Sequence, residues 1–153
     1  PLAALVAKAH QLLTFTVAPN LQRAVAIGLE KDSAYFERLS EGMRSARDWL
    51  AEGLGRAGFD VLPCDGSYFL IADITPLGFT GGDVAFCRQM VRDVGVAAIP
   101  VSAFYDARGT DIPDRFVRFA FCKKTGVIAS AVQRLRLVRE KLCAGNVAEI
   151  QKG

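Results

Sequence analysis

Between Asp32 and Gly58 the apolar residues Phe36, Leu39, Met43, Ala46, Leu50 and Leu54 recur at intervals of three or four, the period of one helix face. Asp32 and Ser33 open the stretch as an N-cap pair, and Gly58 closes it as the residue just past the last turn. Gly42 and Gly53 each cost about 1 kcal/mol relative to alanine, so packing has to hold this helix. A helix of about 25 residues runs about 37 Å, more than one small domain can cover. The segment is therefore expected to be a strut between two bodies.

Before the strut, Leu2, Leu5, Val6, Ala9, Leu12 and Leu13 keep helical spacing until the β-branched and proline-bearing stretch from Thr14 to Pro19. A second helix is expected from about Pro19 to Leu29, with Thr16 or Val17 near its cap. After Gly58 the period changes. Phe59 to Leu62 is a short apolar run, Asp65-Gly66 a turn, and Ser67 to Ile74 a strand. Asp83 is expected to cap a helix that buries Val84, Cys87, Val91 and Val94 and ends at Gly95. Val96 to Val101 has the apolar character of a strand inside a sheet. A loop from Ser102 to Asp114 leads into a strand from Arg115 to Cys122. Thr125 then caps a helix with Ile128, Ala131, Leu135, Val138 and Leu142 on one face, and the tail from Ala144 is expected to fray.

Strand, strand, helix, strand, strand, helix makes a two-layer α/β sandwich, a small domain preceded by a helical arm and a long linking helix. The expected division is 1–31 for the arm, 32–58 for the linking helix, 59–143 for the small α/β domain and 144–153 for the tail. A length of 153 residues suits one compact domain with such an appendage.

Lys and Arg number 19 against 16 Asp and Glu, a net +3 that gives no reason to expect nucleic acid as partner. The basic residues of the last helix, Arg134, Arg136, Arg139 and Lys141, read as a solvated face. No apolar run approaches the roughly 20 residues of a membrane span, so no membrane partner is expected. Cys64, Cys87, Cys122 and Cys143 are widely spaced and His10 is the single histidine, so no metal site is expected, and the thiols read as free in a reducing cytoplasm. His10 itself reads as a surface or interface residue. The chain begins at Pro1 inside an apolar-periodic segment, and it is expected to be a piece of something longer.

The strand Arg115-Phe116-Val117-Arg118-Phe119-Ala120-Phe121-Cys122 alternates faces. Val117, Phe119 and Phe121 are expected under the helices, with Arg118, Ala120 and Cys122 on the opposite side. An arginine in an apolar strand is costly without an anion beside it. Two readings stand. Arg118 either pairs with a structural carboxylate or reaches solvent at a sheet edge, or it recognises a ligand carboxylate with its two parallel donors, in the room beside Ala120. Gly66, opening Gly66-Ser67-Tyr68-Phe69, is either a plain turn glycine or a site of positive φ or of close backbone approach to a ligand. Ala98 to Tyr105 either lines a cleft or belongs to the core.

Ala9-His10-Gln11 through Phe15, Pro19-Asn20-Leu21-Gln22, Gly66-Ser67-Tyr68-Phe69-Leu70, Ala98 to Tyr105 and Val117-Arg118-Phe119 follow in one order. Together they resemble the C-terminal part of a class I/II aminotransferase, a pyridoxal-phosphate enzyme of fold type I. The chain is most similar to the methionine, kynurenine and glutamine-K transaminase branch, over nearly its whole length up to about Cys143. The resemblance implies that Arg118 forms a bidentate bridge with the α-carboxylate of an amino acid or 2-oxo acid. It implies that Gly66 and Tyr68 belong to a segment that closes over the substrate, and that Tyr105 lies near the cleft. It also implies a cytoplasmic homodimer in which Phe15 and Thr16 reach the neighbouring subunit's pocket. Residues 1–31 would end a larger domain that binds most of the pyridoxal phosphate.

The family's Schiff-base lysine has no counterpart here, because none of Lys8, Lys31, Lys123, Lys124, Lys141 or Lys152 sits in a matching context. The complete protein is thus expected to be a transaminase, and this chain alone to be inactive, with no catalytic or cofactor-binding residue of its own. The alternative is a non-enzymatic α/β module that binds a carboxylate metabolite. A regulator carrying an aminotransferase-like domain would need a helix-turn-helix, which the chain does not supply.

Overall fold

The computed structural model describes residues 2–106 and 109–143, so the expected frayed tail lies outside the described residues. The chain forms two compact units, residues 1–39 and 40–153.

In the first unit, α1 (Leu2–Thr14) and α2 (Pro19–Leu29) follow the predicted bounds. Pro19 takes the first helical position, where its missing N–H costs nothing, and the cap is Ala18 rather than Thr16 or Val17. Neither helix buries a residue, and Leu2, Leu12, Leu13, Phe15 and Leu29 are all exposed. No single helix is long and apolar enough to cross a membrane; α1 and α2 reach that length and composition only as a pair bent by 114°.

The strut is α3 (Ser33–Ala57), and the unit boundary falls inside it. Asp32 caps it as expected, its Oδ1 accepting the Tyr35 N–H at 2.7 Å. Gly58 ends it at φ +100°, which lets the Phe59 N–H reach back to the Leu54 carbonyl at 3.1 Å.

In the second unit four antiparallel strands lie in the order β1-β2-β4-β3. They are β1 (Asp60–Val61), β2 (Phe69–Asp73), β3 (Ile99–Pro100) and β4 (Phe116–Ala120). Val117, Phe119 and Phe121 are buried and Arg118 and Ala120 half-buried, as the alternation predicts. Phe59 stands at the centre of the core, edge-to-face with Phe86 at 5.8 Å and with Phe119 at 5.7 Å. Leu50 and Leu54 of α3 join the same core. After α4 (Gly82–Gln89), the last helix, α5 (Thr125–Leu135), buries Ile128 and Leu135, the π-helical turn Arg139–Cys143 buries Leu142, and Val138 between them is buried too.

Four local expectations fail for physical reasons. The apolar run at 96–101 forms only the two-residue β3, because Pro100 has no N–H for a ladder and the chain turns into a 3-10 helix at Val101–Phe104. That strand is an edge, with Ile99 42% exposed. α4 passes into a π-helical turn at Met90–Val94, which shifts the phase of its buried stripe. Phe86, Cys87, Met90 and Val94 go inside, while Val84 and Val91 are exposed. Asp83 is not the cap of α4, and Thr125 is not the cap of α5: Gly81 and Lys124 hold those positions, neither with a side-chain capping bond.

Candidate functional site

Arg118 sits in the middle of β4, an inner strand, opposite Ile71 of β2 and Ile99 of β3. Phe69 stands opposite Ala120, two residues along on the same face, so the small side chain leaves that ring free to lean onto Arg118. The guanidinium carbon lies 3.9 Å from the Phe69 ring centre and 4.4 Å from that of Phe104, which arrives from the 3-10 turn after β3. Contact with a π face is worth about 0.5–2 kcal/mol per ring and restrains the guanidinium.

Neither bland account of Arg118 survives. It is not at a sheet edge, and among the described residues no carboxylate lies within ion-pair distance of it. Its Nε is buried with no hydrogen-bond partner among the described residues. Arg115, three residues earlier, is the contrast: it pairs with Asp73 at 3.4 Å. Leaving a buried donor unmade costs about 1–3 kcal/mol.

Arg118 lines a recess of about 420 Å³ with Leu62, Cys64, Gly66, Ser67 and Ile71 among its walls. The turn from 64 to 68 forms one side. Arg47 of α3 pins it by donating from Nη1 to the Cys64 carbonyl at 2.9 Å, and the Cys64 Sγ–H donates to the Gly66 carbonyl at 3.0 Å. The neighbouring Asp48, by hydrogen bond, holds the Arg47 guanidinium above its usual range. Gly66 does not hold the positive φ weighed for it. Positive φ falls on Ser67 at +70°, and a Cβ on Gly66 would meet nothing within 4 Å.

The structure thus brings Gly66 and Arg118 to one recess. Tyr68 and Tyr105 are half-exposed and do not line it. Tyr68 packs on Phe69, ring centres 4.3 Å apart, and so touches the site through that ring. Phe15 and Thr16 belong to the first unit; Phe15 is 88% exposed and held at φ +51°.

Sequence reasoning missed the two aromatic contacts, Phe69 and Phe104, and the support behind the second. Asp83, only 1% exposed, accepts the Ser102 N–H at 2.8 Å and the Ser102 hydroxyl at 2.7 Å. The alternation of β2 with β4 is a usable signal for Phe69; nothing in the sequence pairs positions 83 and 102, nineteen apart. Burial, then the nearby Asp83, pushes the Cys87 thiol up to about 12, so it is no nucleophile. No metal-binding cluster occurs among the described residues.

Residues 2–135 match the family model described as aminotransferase class I and II. A probable N-succinyldiaminopimelate aminotransferase of Mycobacterium tuberculosis is 38% identical over 142 residues, 89% of this chain and 36% of that protein. A kynurenine–oxoglutarate transaminase of Dictyostelium discoideum is 36% identical over 77% of this chain and 31% of its own length. The crystal structure of an Escherichia coli protein assigned a methionine aminotransferase function superposes with a TM-score of 0.71 at 36% identity, covering 89% of this chain and 35% of that one. The chain therefore spans about a third of the length of the relatives it matches. An arginine with a buried, unpartnered Nε on an inner strand of a small antiparallel sheet sits within a match that runs over most of the sequence, and the chain belongs to the class I and II aminotransferases, in the branch of the methionine and kynurenine enzymes.

Proposed function

We propose that residues 40–143 supply the substrate-carboxylate site of an enzyme that moves an amino group between an amino acid and a 2-oxo acid. The observation that carries this reading is Arg118: its guanidinium lies over the rings of Phe69 and Phe104, has no carboxylate partner among the described residues, and opens on a recess. A carboxylate there would accept two parallel N–H bonds, which orients the substrate without taking part in bond-making. Gly66, Ser67 and the ring of Phe69, backed by Tyr68, would exclude water from one side of it. Tyr105, Phe15 and Thr16 keep their proposed contacts with substrate by family reading alone.

The family chemistry uses pyridoxal phosphate, whose covalent attachment needs a lysine amine. The described residues do not fit that group: no lysine lines the Arg118 recess, and Lys141 is engaged by donating to the Asp93 carbonyl at 2.7 Å. This chain taken alone therefore binds a carboxylate without transaminating, and residues 1–31 are the end of a larger cofactor-binding domain joined by 32–58 to the small domain 59–143. A cytoplasmic homodimer belongs to the same reading. The family match favours it over a carboxylate-binding module without chemistry.

The test is Arg118→Ala and Arg118→Lys in the complete protein. Two charge-assisted hydrogen bonds at about 1.5–3 kcal/mol each predict a loss of at least about a hundredfold in kcat/KM for the amino acid. Cofactor affinity should hold within about twofold. An unchanged KM for Arg118→Ala would remove the assignment.

A further inference from the structure

Phe69 and Phe104 make similar contacts with Arg118 but are held very differently. Phe69 lies in the ladder between β2 and β4. Phe104 is 60% exposed, at the end of a four-residue 3-10 turn that follows a two-residue edge strand. An exposed ring on so short a turn has little packing to keep it over a guanidinium. What fixes the turn is Ser102. Its N–H and its hydroxyl both go to the Asp83 carboxylate, one to each oxygen, and its carbonyl accepts the Tyr105 N–H at 3.1 Å.

Asp83 is an expensive way to do this. Its carboxylate is fully buried, and among the described residues no cation lies within ion-pair distance. Burying such a group costs several kcal/mol, offset in part by the two bonds from Ser102 and by its place in the first turn of α4. Stability alone would be served by an apolar side chain there. The carboxylate connects α4 to the turn that carries Phe104, and through Phe104 to Arg118.

We infer that Asp83 is a positioning residue for carboxylate binding: by holding Ser102 it fixes the 3-10 turn that keeps Phe104 against the Arg118 guanidinium. This rests on the reading of Arg118 as the carboxylate receptor. Asp83→Asn keeps the size and one acceptor oxygen but puts an amide N–H where one Ser102 donor points. Ser102→Ala removes only the hydroxyl bond, and serves if Asp83→Asn does not fold. Phe104→Leu removes the ring directly.

In the complete, cofactor-loaded protein, Asp83→Asn and Phe104→Leu should each raise the amino-acid KM about tenfold and Ser102→Ala about threefold. The turnover number should stay within about twofold. The double variant Asp83→Asn/Phe104→Leu should be no worse than Phe104→Leu, because both act through one ring. Independently of activity, the Arg118 Nε–Hε resonance, shielded by two rings, should move downfield in all three single variants. The inference is overturned if Asp83→Asn lowers Tm but leaves KM and that resonance in place, or if the two effects multiply. Failure of the underlying reading looks different: Arg118→Ala would then leave KM unchanged.

Discussion

Residues 2–39 and residues 40–143 carry similar apolar periodicity and use it in opposite ways. In the second unit the pattern closes on itself around Phe59, Phe86 and Phe119. In the first, α1 and α2 show the same spacing and bury nothing. Periodicity states which face of a helix needs cover; it does not state what covers it. The proposed carboxylate site follows the same division, since Arg118 and its aromatic contacts are built on elements of the second unit.

The sharpest way to break this comparison is to truncate one phenylalanine in each unit. Phe86 is fully buried among Phe59, Phe79 and the sheet, and Phe86→Ala should cost about 3–5 kcal/mol in urea unfolding. Phe15→Ala in this chain should fall within about 0.5 kcal/mol of zero, because the ring touches water on most sides. In the complete protein the same Phe15→Ala measurement reports whether another surface covers that ring: a cost in the core range means it does.

Glycines give a smaller and opposite pair. Gly58 sits at φ +100°, and a Cβ there would lie 2.5 Å from the Arg139 guanidinium. Gly58→Ala should destabilise by about 1–2 kcal/mol, since the strained backbone outlasts any shift of the arginine. Gly28, in α2, has open space where a Cβ would stand, with nothing within 4 Å, and Gly28→Ala should stabilise by about 0.5–1 kcal/mol. Melting temperatures of the two variants should move in opposite directions; movement in the same direction would mean that α2 is packed in a way its exposure does not express.

How far the fold and the site can be read from the sequence follows from the range of the interactions. The caps at Asp32 and Gly58, the bounds of α1 to α3 and the two faces of β4 depend on neighbours within a few residues, and the sequence pattern carries them. β3 is shorter than its apolar content suggests, because the missing N–H of Pro100 outweighs that content. The buried stripe of α4 departs from Val84 and Val91 because a π-helical turn cannot be read from a 3.6-residue period. Arg118 is legible as an oddity in its strand, and its lack of a carboxylate partner among the described residues is not, since only the fold reveals which carboxylates stay away. Asp83 has the sequence position of a cap because aspartate before a helix usually is one; its bond to Ser102 is a tertiary fact.

A further comparison lies inside the second unit, between Cys87 and Cys122. Cys122 is exposed, whereas burial and then the adjacent Asp83 raise the Cys87 thiol to about 12. An unfolded cysteine ionises at about 8.5. Between that pH and about 12 the unfolded chain has released the thiol proton and the folded chain has kept it, so the folded state binds more protons and stability falls as pH rises through this window. Cys87→Ala should remove that part of the alkaline loss, and the urea midpoint of the variant should drop less than that of the parent between about pH 8 and about pH 10. In the native state at about pH 8, iodoacetamide should modify Cys122 and leave Cys87 untouched until urea exposes it, because the thiolate is the reactive form and burial withholds it. Modification of Cys87 at the rate of Cys122 would mean that α4 opens readily, and an α4 that opens could not hold Ser102 through Asp83.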